Sequence, residues 1–410
     1  MIVTLLACCL FLQSPTPEII EHAQAGTAAM QDGRLDVAIL EFRKVTEIQP
    51  NSASAHANLG EAYFKSGDYR AATPELEHAL QLNPNLMGSH QTLGVALLVQ
   101  GNAEGALPHL EKMRTPELLG LAYLETGRLG SAIMALEVAL ERQPNDSDLL
   151  YYFGRATSLA SKQTLGQLLK VNPETAPATS DAANTGGRSF QAVVDLQKAL
   201  ARQPEDASLL SVFSRAASIA SKQAFDQVLK SDANSARAHQ ILAERYLESG
   251  HLSEAGREYT ESLRLKPYTS NVHFALGNVF AAEGNQSAAA AQFRAESKLQ
   301  PLNANAFYSL GAVLLRQGLA GAAVVELANA DRLRPDTPQI LLALGRAAFA
   351  ANDPAQAEIA WNRLLGVDNR SDLAATAHLE LAALYRQAGR SQESARETAA
   401  YEKLKGPGDH

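Results

Sequence analysis

Along most of the chain apolar residues recur every three to four positions, in short stretches broken by Gly, Asn or Pro. That spacing places them on one face of a helix, and the breaks predict many short helices rather than a few long ones. The breaks are themselves periodic. Gly33, Gly67 and Gly101 stand 34 residues apart, as do Gly250, Gly284 and Gly318, with Gly127 and Gly389 in similar contexts and Asn352 in the next slot. Glycine, and asparagine after it, is favoured where the backbone must turn left-handed to end a helix.

A unit can be numbered so that each such glycine takes position 15. Position 8 is then small (Gly26, Gly60, Gly94, Gly120, Ala243, Gly277, Gly311, Gly345, Ala382). Position 20 is small as well (Ala38, Ala72, Ala106, Ala132, Ala255, Ala289, Ala323, Ala357, Ser394). Position 24 is mostly bulky (Phe42, Leu76, Leu110, Leu136, Tyr259, Phe293, Leu327, Trp361), and position 32 is often Pro, as at Pro50, Pro84 and Pro144. Two antiparallel helices approach closely where small residues at 8 and 20 face each other, with large residues beside the crossing. Proline at 32 stops the second helix.

This pattern resembles the tetratricopeptide repeat, in nine recognisable units from about residue 19 to 405. The resemblance, to multi-repeat bacterial members, implies an all-α fold: a right-handed superhelical solenoid of antiparallel helix pairs.

The period breaks twice. Only 26 residues separate Gly94 from Gly120, so the third unit loses its tail at Met113-Arg114-Thr115. Residues 142–170 recur at 202–230 with an offset of 60, matching Leu149 to Leu209, Phe153 to Phe213 and Arg155 to Arg215. The turn glycine is missing from both copies, which predicts a helix–turn–helix with a short second helix in each. Between them, residues 173–190 are rich in Pro, Thr, Ser, Asn and Gly and lack apolar periodicity. The expected organisation is a signal peptide and short linker at 1–17, an N-terminal array at 18–171, and an irregular linker or decayed repeat helix at 172–190. A C-terminal array at 191–405 and a tail at 406–410 follow. Phe190–Ala201 reads as a normal second helix.

Composition narrows the function classes. A net charge of −8 without a basic stripe argues against nucleic acid as a partner. The apolar run Met1–Leu12, followed by Pro15 and Pro17, has the length of a signal-peptide core. It implies an extracytoplasmic place in the periplasm or envelope if it acts as a signal, and a cytoplasmic one otherwise. No later stretch reaches membrane-spanning length, so an integral membrane protein is not expected. The two cysteines, Cys8 and Cys9, lie in that run and supply no disulfide framework.

Six histidines (His22, His56, His90, His239, His273, His378) invite a metal site, yet all fall on position 4, where Phe307 and Leu341 stand in other units. They are expected to pack between helices, and no metal or other cofactor is expected. No phosphate loop, nucleophile elbow or zinc helix occurs, so the chain reads as non-enzymatic.

The family resemblance places positions 2, 5, 9, 12 and 13 on the concave lining. In the C-terminal array these include Arg237, Gln240 and Glu244; Asn271, Phe274 and Asn278; Asn305, Tyr308 and Arg316; and Arg346 and Arg386. Amides, aromatics and arginines can bond, stack on and pair with an extended peptide. The expected function is therefore a scaffold binding peptide or protein partners on that face. The alternative is an accessory or substrate-recruiting subunit of a separately encoded enzyme such as a glycosyltransferase or protease.

Overall fold

In a computed structural model, residues 16–171, 189–269 and 271–405 are described, and every regular element among them is a helix. The apolar N-terminal run, most of the expected linker and the tail lie outside the described residues. The first hairpins are α1 (Pro17–Gln31) with α2 (Leu35–Ile48), α3 (Ala53–Lys65) with α4 (Tyr69–Leu82), and α5 (Met87–Val99) with α6 (Ala103–Met113). Then come α7 (Pro116–Glu125), α8 (Leu129–Arg142), α9 (Ser147–Val171), α10 (Ser189–Arg202) and α11 (Ala207–Ser231). Five further hairpins close the series: α12 (Ala236–Glu248) with α13 (Leu252–Leu265), α14 (Val272–Ala282) with α15 (Gln286–Leu299), and α16 (Ala304–Arg316) with α17 (Ala320–Leu333). The last two are α18 (Pro338–Ala350) with α19 (Pro354–Val367), and α20 (Asp372–Gln387) with α21 (Ser391–Lys405).

Contacts group the chain into two units, Met1–Leu98 with Ala103–Leu118, and Val99–Asn102 with Leu119–His410. In the first, α1 packs on α2 and α3 on α4, and α2 also packs on α3; α5 meets α6 through His90 and His109 at 2.7 Å. Phe42 and Leu59 are buried together with Ala29, Ala38 and Ala62. In the second, the hairpins from α12 to α21 each pack internally and on the next.

The turn glycines behave as their spacing predicts. Every one of the eight at position 15 has positive φ, from 72° at Gly33 to 84° at Gly101, and Asn352 takes 60° in the same slot. The join that shortens the third unit uses the same device without glycine: Arg114 has φ 52°, and Pro116 opens α7 two residues later.

Positions 8 and 20 meet as expected, Ser394 Oγ donating to the Ala382 carbonyl at 2.8 Å and the Ala323 carbonyl lying 3.2 Å from a Cβ built on Gly311. The glycines at position 8 also face the large residue at position 24. A Cβ added at Gly26 or Gly277 would come within 2.7 Å of the Phe42 or Phe293 ring, and one at Gly345 would collide with the Trp361 indole. Trp361 is fully buried and donates from Nε1 to the Leu342 carbonyl at 3.3 Å. The glycine is a slot cut in the first helix for the ring of the second.

The duplicated stretch departs most from expectation. Each copy folds as one uninterrupted helix of 25 residues, α9 and α11, not as a helix–turn–helix. Ser161 and Ser221 occupy the slot where other units have glycine, and nothing there ends the helix. The apolar stripe instead runs on through Ala160, Thr164 and Leu168 in one copy, and Ala220, Ala224 and Val228 in the other, all buried. A single long helix buries the whole stripe, and a turn would expose half of it.

The repetition extends further than the matching residues suggest. Helices α8 and α10 are both 14 residues long, and all four helices obey the offset of 60. The two copies pack against each other as an antiparallel pair, with Ser161 Oγ donating to the Ser214 carbonyl at 2.7 Å and Ser214 Oγ to the Ser161 carbonyl at 3.1 Å. Phe153 and Phe213, equivalent by the offset, lie in one core with Leu136, Leu150, Val193 and Leu210. The helices on either side of residues 172–188 therefore belong to one packed body.

Candidate binding face

Helix α12 carries the first three expected lining residues, and the structure spends two of them internally. Arg237 is 5 % exposed and Gln240 4 %. The Arg237 guanidinium donates from Nε to Asp148 Oδ1 at 2.6 Å and from Nη1 to Gln240 Oε1 at 2.6 Å, and also reaches the Tyr152 hydroxyl. It stacks over the rings of Tyr151 and Tyr152, with its central carbon 4.6 and 4.7 Å from their centroids. Gln240 donates to the Tyr151 hydroxyl, which in turn donates to Glu244 Oε1 at 2.6 Å. These groups tie α12 to the N-terminal half of α9 and leave only Glu244 partly open.

The network is electrostatically matched. Burial pushes the Asp148 carboxyl up, but Arg237 and Lys266, the latter bonded at 2.9 Å, outweigh it and hold the group below its usual range. Burial, reinforced by the Glu244 carboxylate, pushes the Tyr151 phenol well up, so it serves as a donor at any physiological pH.

Further along, Asn271 has φ 68° at the start of α14, and its backbone N–H donates to Glu296 Oε1 at 2.9 Å. The Phe274 N–H reaches the other Glu296 oxygen at 3.2 Å. Glu296 is fully buried, and burial raises its pKa despite those two donors. The Phe274 ring packs 5.5 Å from Phe293, and Tyr308 is half-buried against the same core. Burial likewise raises Glu125, at the end of α7, which accepts from the Asn271 side chain at 3.5 Å.

The remaining expected residues are exposed: Asn278, Asn305, Arg316, Arg346 and Arg386. Arg316 donates to Gln286 Oε1 at 3.0 Å, Arg346 to Glu380 Oε1 at 2.7 Å, and Asn305 accepts from Arg334 at 3.3 Å. All five sit on first helices of successive hairpins, α14, α16, α18 and α20.

Sequence reasoning missed the contribution of α9. Numbered from Gly154 as position 8, Tyr151, Arg155, Ser158 and Leu159 fall on the same lining positions 5, 9, 12 and 13. The frame could have been carried across the missing turn glycine, because Gly154 keeps its own role: a Cβ there would strike the Phe225 ring of α11.

The histidines are repeat furniture, and the structure shows how they work. In each case Nδ1 meets a side chain 19 residues later on the partner helix of the hairpin: Glu41, Glu75, His109, Glu258, Gln292 and Glu397, at 2.5–2.7 Å. In three units Nε2 also bonds the carbonyl of the preceding position-32 proline, at Pro50, Pro84 and Pro267. The ring thus clasps a hairpin and pins it to the end of the one before. Among the described residues, no three His, Cys, Asp or Glu side chains gather as a metal site.

A chain of paired helices with a left-handed glycine between them and a glycine slot beneath each large residue defines a class of helical-repeat protein. Models of the tetratricopeptide repeat match residues 53–86, 117–146, 274–338 and 342–409, and a model described as TPR repeat matches 26–67, together more than half of the chain. The chain belongs to the tetratricopeptide repeat family. Among solved structures, MamA residues 41-end from Desulfovibrio magneticus RS-1 aligns at 21% identity and TM-score 0.40, over 43% of this chain and 97% of that one. YrrB, a TPR protein with an unusual peptide-binding site, aligns at 17% and 0.41, over 44% and 91%. PilF of Pseudomonas aeruginosa aligns at 17% and 0.39, over 54% and 94%. A search of curated proteins found no match.

Proposed function

We propose that the chain is a non-enzymatic scaffold that binds protein or peptide partners along the first-helix face of its C-terminal hairpins. The supporting observation is the row Asn278, Arg316, Arg346 and Arg386, exposed at lining positions on four successive first helices, with Tyr308 half-buried among them. Buried cores beneath the row hold it in place, so a partner would meet polar groups already fixed in position. Arginines and amides on a rigid helical array suit an extended backbone and its carboxylates. Arg237 and Gln240 contribute by fixing α12 rather than by contact, and Asn271 and Phe274 by holding the start of α14.

Crosslinking capture from the native host tests this, comparing the wild type with the triple variant Asn278→Ala, Arg316→Ala, Arg346→Ala. All three residues are exposed, so the fold should survive their loss. Arg257→Ala, on the exposed side of second helix α13, is the control. Several-fold loss of specific partners in the triple variant alone is expected. Identical partner profiles would remove this face from the proposal.

A further inference from the structure

Between the first turn of α8, the C-terminal half of α9 and the end of α10 lies an open pocket of about 450 Å³, with Leu210 and Phe213 of α11 beneath it. It belongs to the second unit, and none of its residues falls on a first-helix lining position. The offset of 60 shows what makes it. On the opposite side of the α9–α11 pair, the equivalent corner is closed by the chain itself. There the Phe190 ring lies 4.5 Å from that of Phe153, and Gln227 donates from Nε2 to the Pro144 carbonyl at 2.9 Å and to Asn145 Oδ1 at 3.0 Å. The open corner has Gly130 where the closed one has Phe190, beside Phe213 in the place of Phe153. Gln167 stands in the place of Gln227 but bonds neither Pro204 nor any other described residue. Thr164 stands where the closed corner has Ala224, and Gln197 where it has Glu137. The pocket is thus the volume of a missing phenylalanine ring, lined by amides and hydroxyls and by no carboxylate.

Two polar features face this space without a partner. Thr164 is 6 % exposed, and the little surface it keeps lines the pocket. A threonine inside a helix ordinarily turns its hydroxyl back onto its own backbone. Thr157, two turns earlier in α9, donates to the Phe153 carbonyl at 2.8 Å, and Thr260 and Thr376 do the same to the carbonyls four residues before them. Thr164 makes no such bond, nor any other among the described residues. The second feature is the start of α8. Its N-cap is Arg128, which gives no side-chain cap, so the Gly130 and Ser131 N–H groups open into the pocket without an acceptor. The Gln197 amide lies against Gly130, where a Cβ would come within 2.5 Å of it. Glycine there admits the amide and leaves the helix end bare.

We propose that this pocket binds a sugar-sized polyol carrying one anionic group, a carboxylate or a phosphate. The anion meets the bare N–H groups of α8 and the Ser131 hydroxyl, where the helix end favours negative charge and no acidic side chain opposes it. A hydroxyl of the ligand both donates and accepts, and so does each amide or hydroxyl that awaits it, Thr164 at the floor with Gln163 and Gln167 above. The C–H face of the ring rests on the apolar side formed by Leu200 and Met134. The volume suits a ligand of this size, and a few placed polar groups over an apolar floor are what orient a small molecule. An apolar anion would leave the three amides and Thr164 unmatched, and a neutral sugar would leave the helix end uncapped.

Isothermal titration calorimetry on the full chain tests the site with four probes: glucuronate, glucose 6-phosphate, glucose and inorganic phosphate. At least one of the two anionic sugars should saturate a single site per chain, and the tighter of them identifies the anion. Glucose and phosphate alone should each bind about tenfold more weakly or worse, since each offers half of the recognised groups. Thr164→Val keeps the shape of the side chain and removes its hydroxyl, so it should weaken binding about fivefold. Gly130→Phe rebuilds the ring of the closed corner and should abolish binding. Should that variant fold poorly, Thr164→Val and the exposed Gln163→Ala carry the test, with their melting curves confirming an intact fold. No saturation by either anionic sugar overturns the site. So does glucose binding as tightly as the anionic sugars, or affinity that Thr164→Val and Gln163→Ala leave unmoved.

Discussion

At the scale of single residues, the repeat is built from exchanges between one small and one large position. Position 8 was legible as small from sequence, and so was its crossing with position 20. Its role as the seat of the position-24 side chain was not, because a one-dimensional pattern shows that positions are constrained without showing every pair that touches. The distinction has a measurable sign. Replacing glycine by alanine inside a helix ordinarily stabilises it by up to about 1 kcal/mol. Gly366→Ala, in α19 with open space around it, should raise the melting temperature. Gly345→Ala should instead lower it by an amount corresponding to about 1–3 kcal/mol, since the Trp361 ring must leave a fully packed site. Two shifts of the same sign in thermal melts would show that the indole does not need that slot.

The histidine clasps carry a second residue-scale expectation. Five of the six meet a carboxylate or an amide, but His90 meets His109, with Lys112 Nζ 3.1 Å from His90 Nε2. Burial, then His90 and Lys112, depress the His109 pKa below its usual value. With the folded value below the unfolded one, the unfolded chain takes up the proton first. Stability contributed here is complete above about pH 6.5 and falls as the pH drops below it. His109→Gln supplies the partner that His273 finds in Gln292, and it should gain on the wild type between pH 7 and 5. The gain should stay under about 1 kcal/mol, because the ring is partly open to screening solvent. Parallel pH–stability curves for the two proteins would count against the effect.

At the scale of elements, helix ends were easy to read and helix continuity was not. Positive-φ glycines, Asn352 and prolines at N1 mark boundaries with residue types whose backbone preferences are strong. Helices α9 and α11 were misread because the absence of a glycine is a weaker signal than its presence. The evidence for continuity lay in the stripe through Phe153, Ala160, Thr164 and Leu168. The same limit hid the fate of Arg237 and Gln240. Their repeat numbering gave no sign of the neighbours they find, because Asp148, Tyr151 and Tyr152 of α9 lie some 90 residues earlier in the chain. The start of α14 offers a test at this scale. Glu296 is a buried carboxylate that accepts two backbone N–H groups. Glu296→Ala orphans both and should cost about 1–3 kcal/mol. Glu296→Gln sheds a buried charge and keeps one acceptor but turns its NH2 toward the second N–H, so it should cost less than Glu296→Ala at pH 7. Because the folded Glu296 pKa is raised, the wild type gains relative to Glu296→Gln as the pH falls through that pKa toward 4.5. Equal losses for the two variants in urea titrations at pH 7 would mean that charge, not acceptor geometry, holds the turn.

At the scale of the molecule, each unit of a repeat array draws its stability from its own hairpin and its immediate neighbours. Order should therefore follow local burial. Helices α8 to α11 share the broadest core, in which Tyr151, Phe153 and Phe213 are buried between two long antiparallel helices that each touch more than one partner. Helix α21 buries a single residue, Ser394, whose hydroxyl bonds the Ala382 carbonyl at 2.8 Å, and it packs chiefly on α20. Amide hydrogen exchange should accordingly release α21 first, through local opening that costs far less than opening the central helices. The slowest amides should fall in the buried turns of α9 and α11. The proposed first-helix face, running toward the looser end, would be firmer at Asn278 and more adaptable at Arg346 and Arg386. A partner engaging the far row should then slow exchange in α20 and α21. Uniform protection from α12 to α21 in the free protein would argue instead that the hairpins open together as one cooperative body.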